Sequence, residues 1–197
     1  VVSNVVKQEL IKNAIFAILV SLVGIIIYIS IRFHISFGIC SVLCLLHDVL
    51  LMTSFMAISR VEVDSMFIAA VLAIIGYSIN NTIVVFDRIR ENLNGKNISK
   101  LTDKEITDVA NISMKQTALR SIYTSLTTII PVIALIILGS REVLSFNLAM
   151  TVGLIAGTYS SLFIAPLLWT KFAKIGYGKK KKVYSEKTEK TITGIND

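Results

Sequence analysis

The sequence predicts an all-α, polytopic membrane helix bundle with five transmembrane helices and one amphipathic helix on the cytoplasmic side. Three observations carry that prediction. Hydrophobic residues make up 54% of the 197 and charged residues only 17%, where a soluble domain carries about 25% charged residues. Mean hydropathy is +0.72. The apolar residues also fall into runs of membrane length, with the charges gathered between them.

Val1–Asn13 is a mixed polar lead-in on the extracytoplasmic side, carrying Lys7, Glu9 and Lys12. Ala14–Ile31 is an eighteen-residue first span, just long enough to cross the hydrocarbon core. After a short turn with Arg32 and His34, Ile35–Ile58 forms the second span, and Met66–Phe86 forms the third beyond a turn at Ser59–Ser65. Asp87–Arg120 then breaks the membrane pattern, with Asn94-Gly95-Lys96-Asn97 as a turn. Its second half has apolar residues near helical spacing, and Thr102 with Glu105 makes a capping-box signal, so an amphipathic surface helix is expected over residues 103–119. Ser121–Leu138 is the fourth span, Gly139–Val143 a tight turn, and Leu144–Trp169 the fifth span. The membrane domain therefore covers residues 14–171, and 172–197 read as a basic, disordered cytoplasmic tail.

Five crossings put alternate connections on opposite sides. One side collects sixteen of the basic residues, from Arg32, the 87–120 connection and the tail, and the other collects four. By the positive-inside rule the richer side is cytoplasmic, which puts the C-terminus inside. Lys179–Lys182 reads as a contact for anionic lipid or for another protein. The net charge of +7 does not point to nucleic acid, because the basic residues have no interleaved aromatics. Cys40 and Cys44, four apart on one helix, suit apolar packing better than a disulfide or a zinc site.

Gly76–Asn92, GYSINNTIVVFDRIREN, sets polar residues where hydrocarbon should be and ends in charges. Asp87, Arg88, Arg90 and Glu91 mark the cytoplasmic water boundary, and Asn81 lies six residues inside it, roughly 9 Å at the helical rise. Polar groups at that depth require partners or a wet cavity. The second span carries His47-Asp48 near the bilayer midplane, where an ionisable group is a functional candidate and a structural hydrogen bond is the plainer alternative. Neighbouring residues on a helix diverge, so His47 and Asp48 are not expected to serve one site by simple stacking.

On the third span Ala69, Ala73, Gly76 and Asn80 form a small-residue face, and Tyr77, Ser78 and Asn81 form a second, polar one. On the fourth, Arg120, Thr124, Thr127 or Thr128, and Pro131 share a face, with Pro131 freeing a carbonyl. The fifth has Gly153-xxx-Gly157, a close-packing motif. This arrangement suits passage of a small cation, H⁺ or Na⁺. Hydrolysis is not suggested, since the sequence has no phosphate loop, no nucleophile paired with a base and no metal-ligand cluster.

GYSINNTIVVFDRIREN closely resembles the signature of the SecF family, the smaller half of the SecDF protein-export factor, where the family usually has Asn-Asp in place of Asn80-Asn81. The resemblance runs from about Val1 to Lys171 and includes LLHDV, ending at Val49, and RSIYTSLTT, beginning at Arg120. It implies half of a resistance-nodulation-division type bundle in a bacterial-type cytoplasmic membrane, completed by SecD. Such a complex uses the proton-motive force, or sodium in some members, to help pull exported polypeptides from the SecYEG channel, with YajC and YidC as further partners and no cofactor. The chain opens on Val1 without a leader, so it reads as the C-terminal part of a longer protein lacking its first membrane helix and extracytoplasmic domain.

By motif, the family's membrane carboxylate corresponds to Asn81 and its arginine to Arg120. The expected relay set is Asn81, Arg120, Asp48, His47, Asn80 and Thr124. An amide does not titrate, so Asn81 departs from the family pattern. Three explanations stand side by side: reliance on SecD's carboxylate and Asp48, cation passage through oxygen ligands, or an engineered change from aspartate. An assembly subunit without ion transport and an exporter of small molecules or lipids are the alternative functions.

Overall fold

In lipid a backbone finds no water to hydrogen-bond, so long apolar runs satisfy themselves as helices. The computed structural model describes residues 4–61 and 64–175. In it α1 spans Asn4–Arg32, α2 Ile35–Ile58, α3 Ser65–Asn92, α4 Asp103–Leu138, α5 Leu144–Tyr159 and α6 Ala165–Phe172. Among the described residues four stretches are long and apolar enough to cross a membrane: Ile35–Ile58, Ser65–Asn92, Asp103–Leu138 and Arg141–Phe172. The shorter apolar stretch Ile15–Ile29 of α1 supplies the first of the five expected segments. Lys179–Lys182, expected as a contact for anionic lipid or protein, lies outside the described residues.

Besides α1 and α3, which run on through the polar lead-in from Asn4 and through the charged motif to Asn92, two elements differ from expectation. The surface helix and the fourth span are one unbroken helix of 36 residues, because Leu119-Arg120-Ser121 changes the polarity of the chain without supplying a helix breaker. Its start is capped as expected: the Thr102 hydroxyl accepts from Glu105 N–H, and the Thr102 N–H donates to Glu105 Oε2 at 2.8 Å. The last span, in turn, is interrupted by a π turn at Ser160–Ile164, where the Ala165 N–H reaches back five residues to the Ser160 carbonyl. Pro166 follows two residues on and has no N–H to complete the ordinary ladder, so the helix is held least firmly to the α pattern here.

The core sits where α3 and α5 run side by side in the same direction. Gly153 makes this possible, since a Cβ there would stand 2.5 Å from Ile74 Cγ1. One turn on, a Cβ at Gly157 would meet Ser78 Cβ at 3.2 Å. The close-packing motif thus brings the last span against the polar middle of α3. At one end Asp64 caps α3 by accepting from Phe67 N–H at 2.9 Å and also takes the Ser145 hydroxyl. At the other, Phe37 meets Phe86 at 5.0 Å and stacks on Trp169 at 5.5 Å, tying α2, α3 and α6 together.

Candidate functional site

Asp48 is the only charged side chain counted as buried among the described residues, with 0% of its surface exposed. It sits mid-helix in α2, and the close approach of α3 and α5 surrounds it with hydroxyls. Ser78 Oγ of α3 donates to Asp48 Oδ2 at 2.5 Å, and Ser160 Oγ, the first residue of the π turn, donates to the same oxygen at 2.8 Å. His47 Nδ1 lies 3.1 Å from Oδ1.

That last contact corrects the expectation that His47 and Asp48 diverge. Their Cα–Cβ directions differ, but rotation about the histidine side chain brings the ring back over the carboxylate. The His47 side chain is 35% exposed, so the imidazole joins a buried acid to the bundle surface. A proton between them is held either as Nδ1–H donating to the carboxylate or as a carboxyl donating to Nδ1. Two hydroxyls and an imidazole therefore compensate a group that would otherwise be costly at this depth.

A second polar seam runs between α3, α4 and α5. Tyr77 donates to Ser125 Oγ at 2.8 Å, and Ser125 Oγ lies 2.5 Å from Thr158 Oγ1. One helical turn from that bond on each helix stand Asn81 and Ser121, whose Nδ2 and Oγ are buried and without a partner among the described residues. Asn81 is 3% exposed.

The remaining expected site residues lie elsewhere. Asn80 is exposed, as are Ala69, Ala73 and Gly76, and a Cβ at Gly76 would touch nothing within 4 Å. That small-residue face is thus unused among the described residues. Arg120 and Thr124 are also exposed, and the Thr124 hydroxyl donates to the Arg120 carbonyl at 2.8 Å. The structure brings His47 and Asp48 together and leaves Asn80, Arg120 and Thr124 on outer faces.

The charged motif after the third span builds a helical hairpin. Arg88 Nε donates to Gln116 Oε1 at 2.7 Å, and Arg88 Nη1 meets Glu91 at 2.5 Å. Asn92 Nδ2 reaches Ser113 Oγ at 2.8 Å. Asp87 and Arg90 are exposed at this end. Sequence reasoning missed Ser160, Ser125, Thr158 and Gln116; the signal available for Ser160 was a serine pair in an apolar run six residues before Pro166.

With this geometry in view, the likenesses to known proteins are specific. Residues 1–175 match the family described as protein export membrane protein SecD/SecF, C-terminal. The protein translocase subunit SecDF of Bacillus subtilis is 46% identical over 168 residues, covering 85% of this chain and 22% of that protein. The protein translocase subunit SecF of Sebaldella termitidis is 46% identical over 172 residues, covering 85% of this chain and 54% of that protein. The chain thus spans about half of that SecF and under a quarter of that SecDF. Among solved structures, SecDF from Thermus thermophilus, a translocon-associated membrane protein, superposes with a TM-score of 0.78 and 40% identity, covering 87% of this chain and 23% of that one. A SecDF crystal structure in a super-membrane-facing form gives 0.73 and 38%, covering 93% of this chain and 23% of that one.

Proposed function

The chain belongs to the SecD/SecF C-terminal protein-export family, and from that premise we propose that it is the membrane part of a SecF subunit whose Asp48 carries protons to assist polypeptide export. In this reading the chain completes a bundle with SecD, works beside the SecYEG channel, and keeps its basic connections and C-terminus in the cytoplasm. The exposed face Ala69, Ala73, Gly76 and Asn80 is where SecD packs, with Arg120 and Thr124 presented toward the shared seam.

One observation carries the proposal: a carboxylate buried between three helices, joined by an imidazole to the bundle surface. Asn81 does not titrate, so proton exchange falls to Asp48 and His47 in this subunit. The two hydroxyls already donate to the carboxylate across 2.5 and 2.8 Å, which favours a proton over a cation needing a coordination shell of oxygens.

The test is polypeptide export in vesicles holding SecYEG and the complete SecDF complex. An imposed proton gradient stimulates the parent, and Asp48→Asn removes the stimulation while leaving export without a gradient unchanged. Full stimulation in Asp48→Asn, or stimulation by a sodium gradient alone, would overturn the reading.

A further inference from the structure

We propose that Ser160 and the π turn it opens convert the protonation of Asp48 into a change of helical register in Ala165–Phe172, moving Trp169. The inference rests on the reading of Asp48 as the proton-carrying group and adds the part that responds to it.

Ser160 occupies two roles at once. It is the first residue of the π turn, and its hydroxyl is one of the two on Asp48 Oδ2, at 2.8 Å. The irregular stretch of backbone is therefore tied directly to the carboxylate. A second acceptor is within reach of the same hydroxyl, the Gly157 carbonyl at 3.3 Å.

An ionised carboxylate is the stronger acceptor and holds Ser160 toward α2. When a proton arrives on Asp48, the new O–H becomes a donor and seeks an oxygen or nitrogen of its own. Ser160 then turns to Gly157, one turn back on its own helix. In this step the Nδ1–H bond of His47 breaks as the O–H bond on Asp48 forms, and the histidine takes a replacement proton from hydronium.

A π turn is one residue of surplus in a helix. Its loss returns the backbone to the α ladder, and everything after it turns by about 100° and shifts about 1.5 Å along the axis. Pro166, without an N–H, leaves the ladder weakest at that point.

Trp169 is the side chain that such a shift would move. It is fully buried and stacked on Phe37, yet its Nε1 has no hydrogen-bond partner among the described residues. A buried indole N–H without an acceptor is costly, and a rotated segment offers it another environment.

The groups facing Asp48 are few. On α2 they are His47 and Cys44; on α3 it is Ser78; on α5 and the π turn they are Gly157 and Ser160. His47 is thus the group whose titration has to be separated from that of Asp48.

Trp169 is the only tryptophan in the 197 residues, so its emission reads the movement directly. The chain is placed in lipid nanodiscs and titrated between about pH 5 and pH 9. The parent changes emission on acidification, and Asp48→Asn shows the acid form throughout, because an amide stands in for the protonated carboxyl. Ser160→Ala loses the response at least tenfold in amplitude. Ser161→Ala, in the same turn but donating to the Thr158 carbonyl, keeps it. If Ser160→Ala does not unfold cooperatively, Ser160→Cys replaces it, and the response then falls without vanishing. A flat parent titration, a Ser160→Ala response equal to the parent's, or a response that survives Asp48→Asn and disappears in His47→Gln would each overturn the proposal. Export lost in Asp48→Asn with a flat Trp169 signal would remove this inference and leave the proposed function standing.

Discussion

Gly157 lies so close to Ser78 that a Cβ at the glycine would stand 3.2 Å from Ser78 Cβ and 3.6 Å from Asp48 Oδ2. The glycine therefore controls whether Ser78 reaches the carboxylate at all. Gly157→Ala is expected to cost about 1–3 kcal/mol of stability through overpacking and to reduce gradient-stimulated export. Thermal unfolding in detergent alongside the export assay checks this. Unchanged export in a destabilised variant would separate the glycine from the site.

Gly153 meets Ile74 more severely, with a Cβ contact of 2.5 Å to Cγ1, which cannot swing away as a flexible tip would. Gly153→Ala alone is expected to lower the unfolding temperature clearly. Combined with Ile74→Ala it should cost less than the two separate losses added together. Additive losses would show that the two helices do not meet there.

Asp64 stabilises the start of α3 through Phe67 N–H and holds Ser145 of α5. Asp64→Ala is expected to cost about 1 kcal/mol, and Asp64→Asn, which keeps a capping oxygen, much less. Equal losses in the two variants would point to charge rather than capping.

Glu105 is held below the usual carboxylate range by the backbone N–H of Thr102 first and its hydroxyl second. A depressed native value stabilises the folded helix start at any pH above the ordinary glutamate value. That contribution is lost as pH falls through the depressed one. Protection factors in the first turn of α4, which correct amide exchange for its intrinsic pH dependence, should therefore fall on acidification in the parent. In Glu105→Gln they should show no such pH dependence, and a dependence that persists would locate the effect elsewhere.

Asn81 places an amide where the sequence resemblance implies a carboxylate, and its Nδ2 has no partner among the described residues. Asn81→Asp is expected to raise gradient-stimulated export, because a second titratable group then faces the α3–α4 seam. No gain would mean that the position has lost its coupling role.

Much of this fold was legible in the chain because hydrocarbon is a strict solvent. Apolar runs marked the helices, and Thr102 with Glu105 marked the start of α4. The continuity of α4 through Arg120 was not legible, since a change of polarity looks like a boundary although the backbone has no reason to break. Ser160–Ile164 read as ordinary span, because a π turn depends on ladder geometry that Pro166 disturbs rather than on polarity. Asp48 stood out as a charge at the midplane, while its partners Ser78 and Ser160 are 30 and 112 residues away and become visible only through packing. The pairing of His47 with Asp48 depended on a side-chain rotation that helical periodicity does not describe.

The most direct measurement is proton uptake, read by a pH-sensitive dye inside vesicles holding the complete complex under an imposed gradient. Asp48→Asn is expected to lower the uptake rate at least tenfold, and Asp48→Glu to keep part of it. Uptake in Asp48→Asn equal to that of the parent would contradict proton carriage by Asp48.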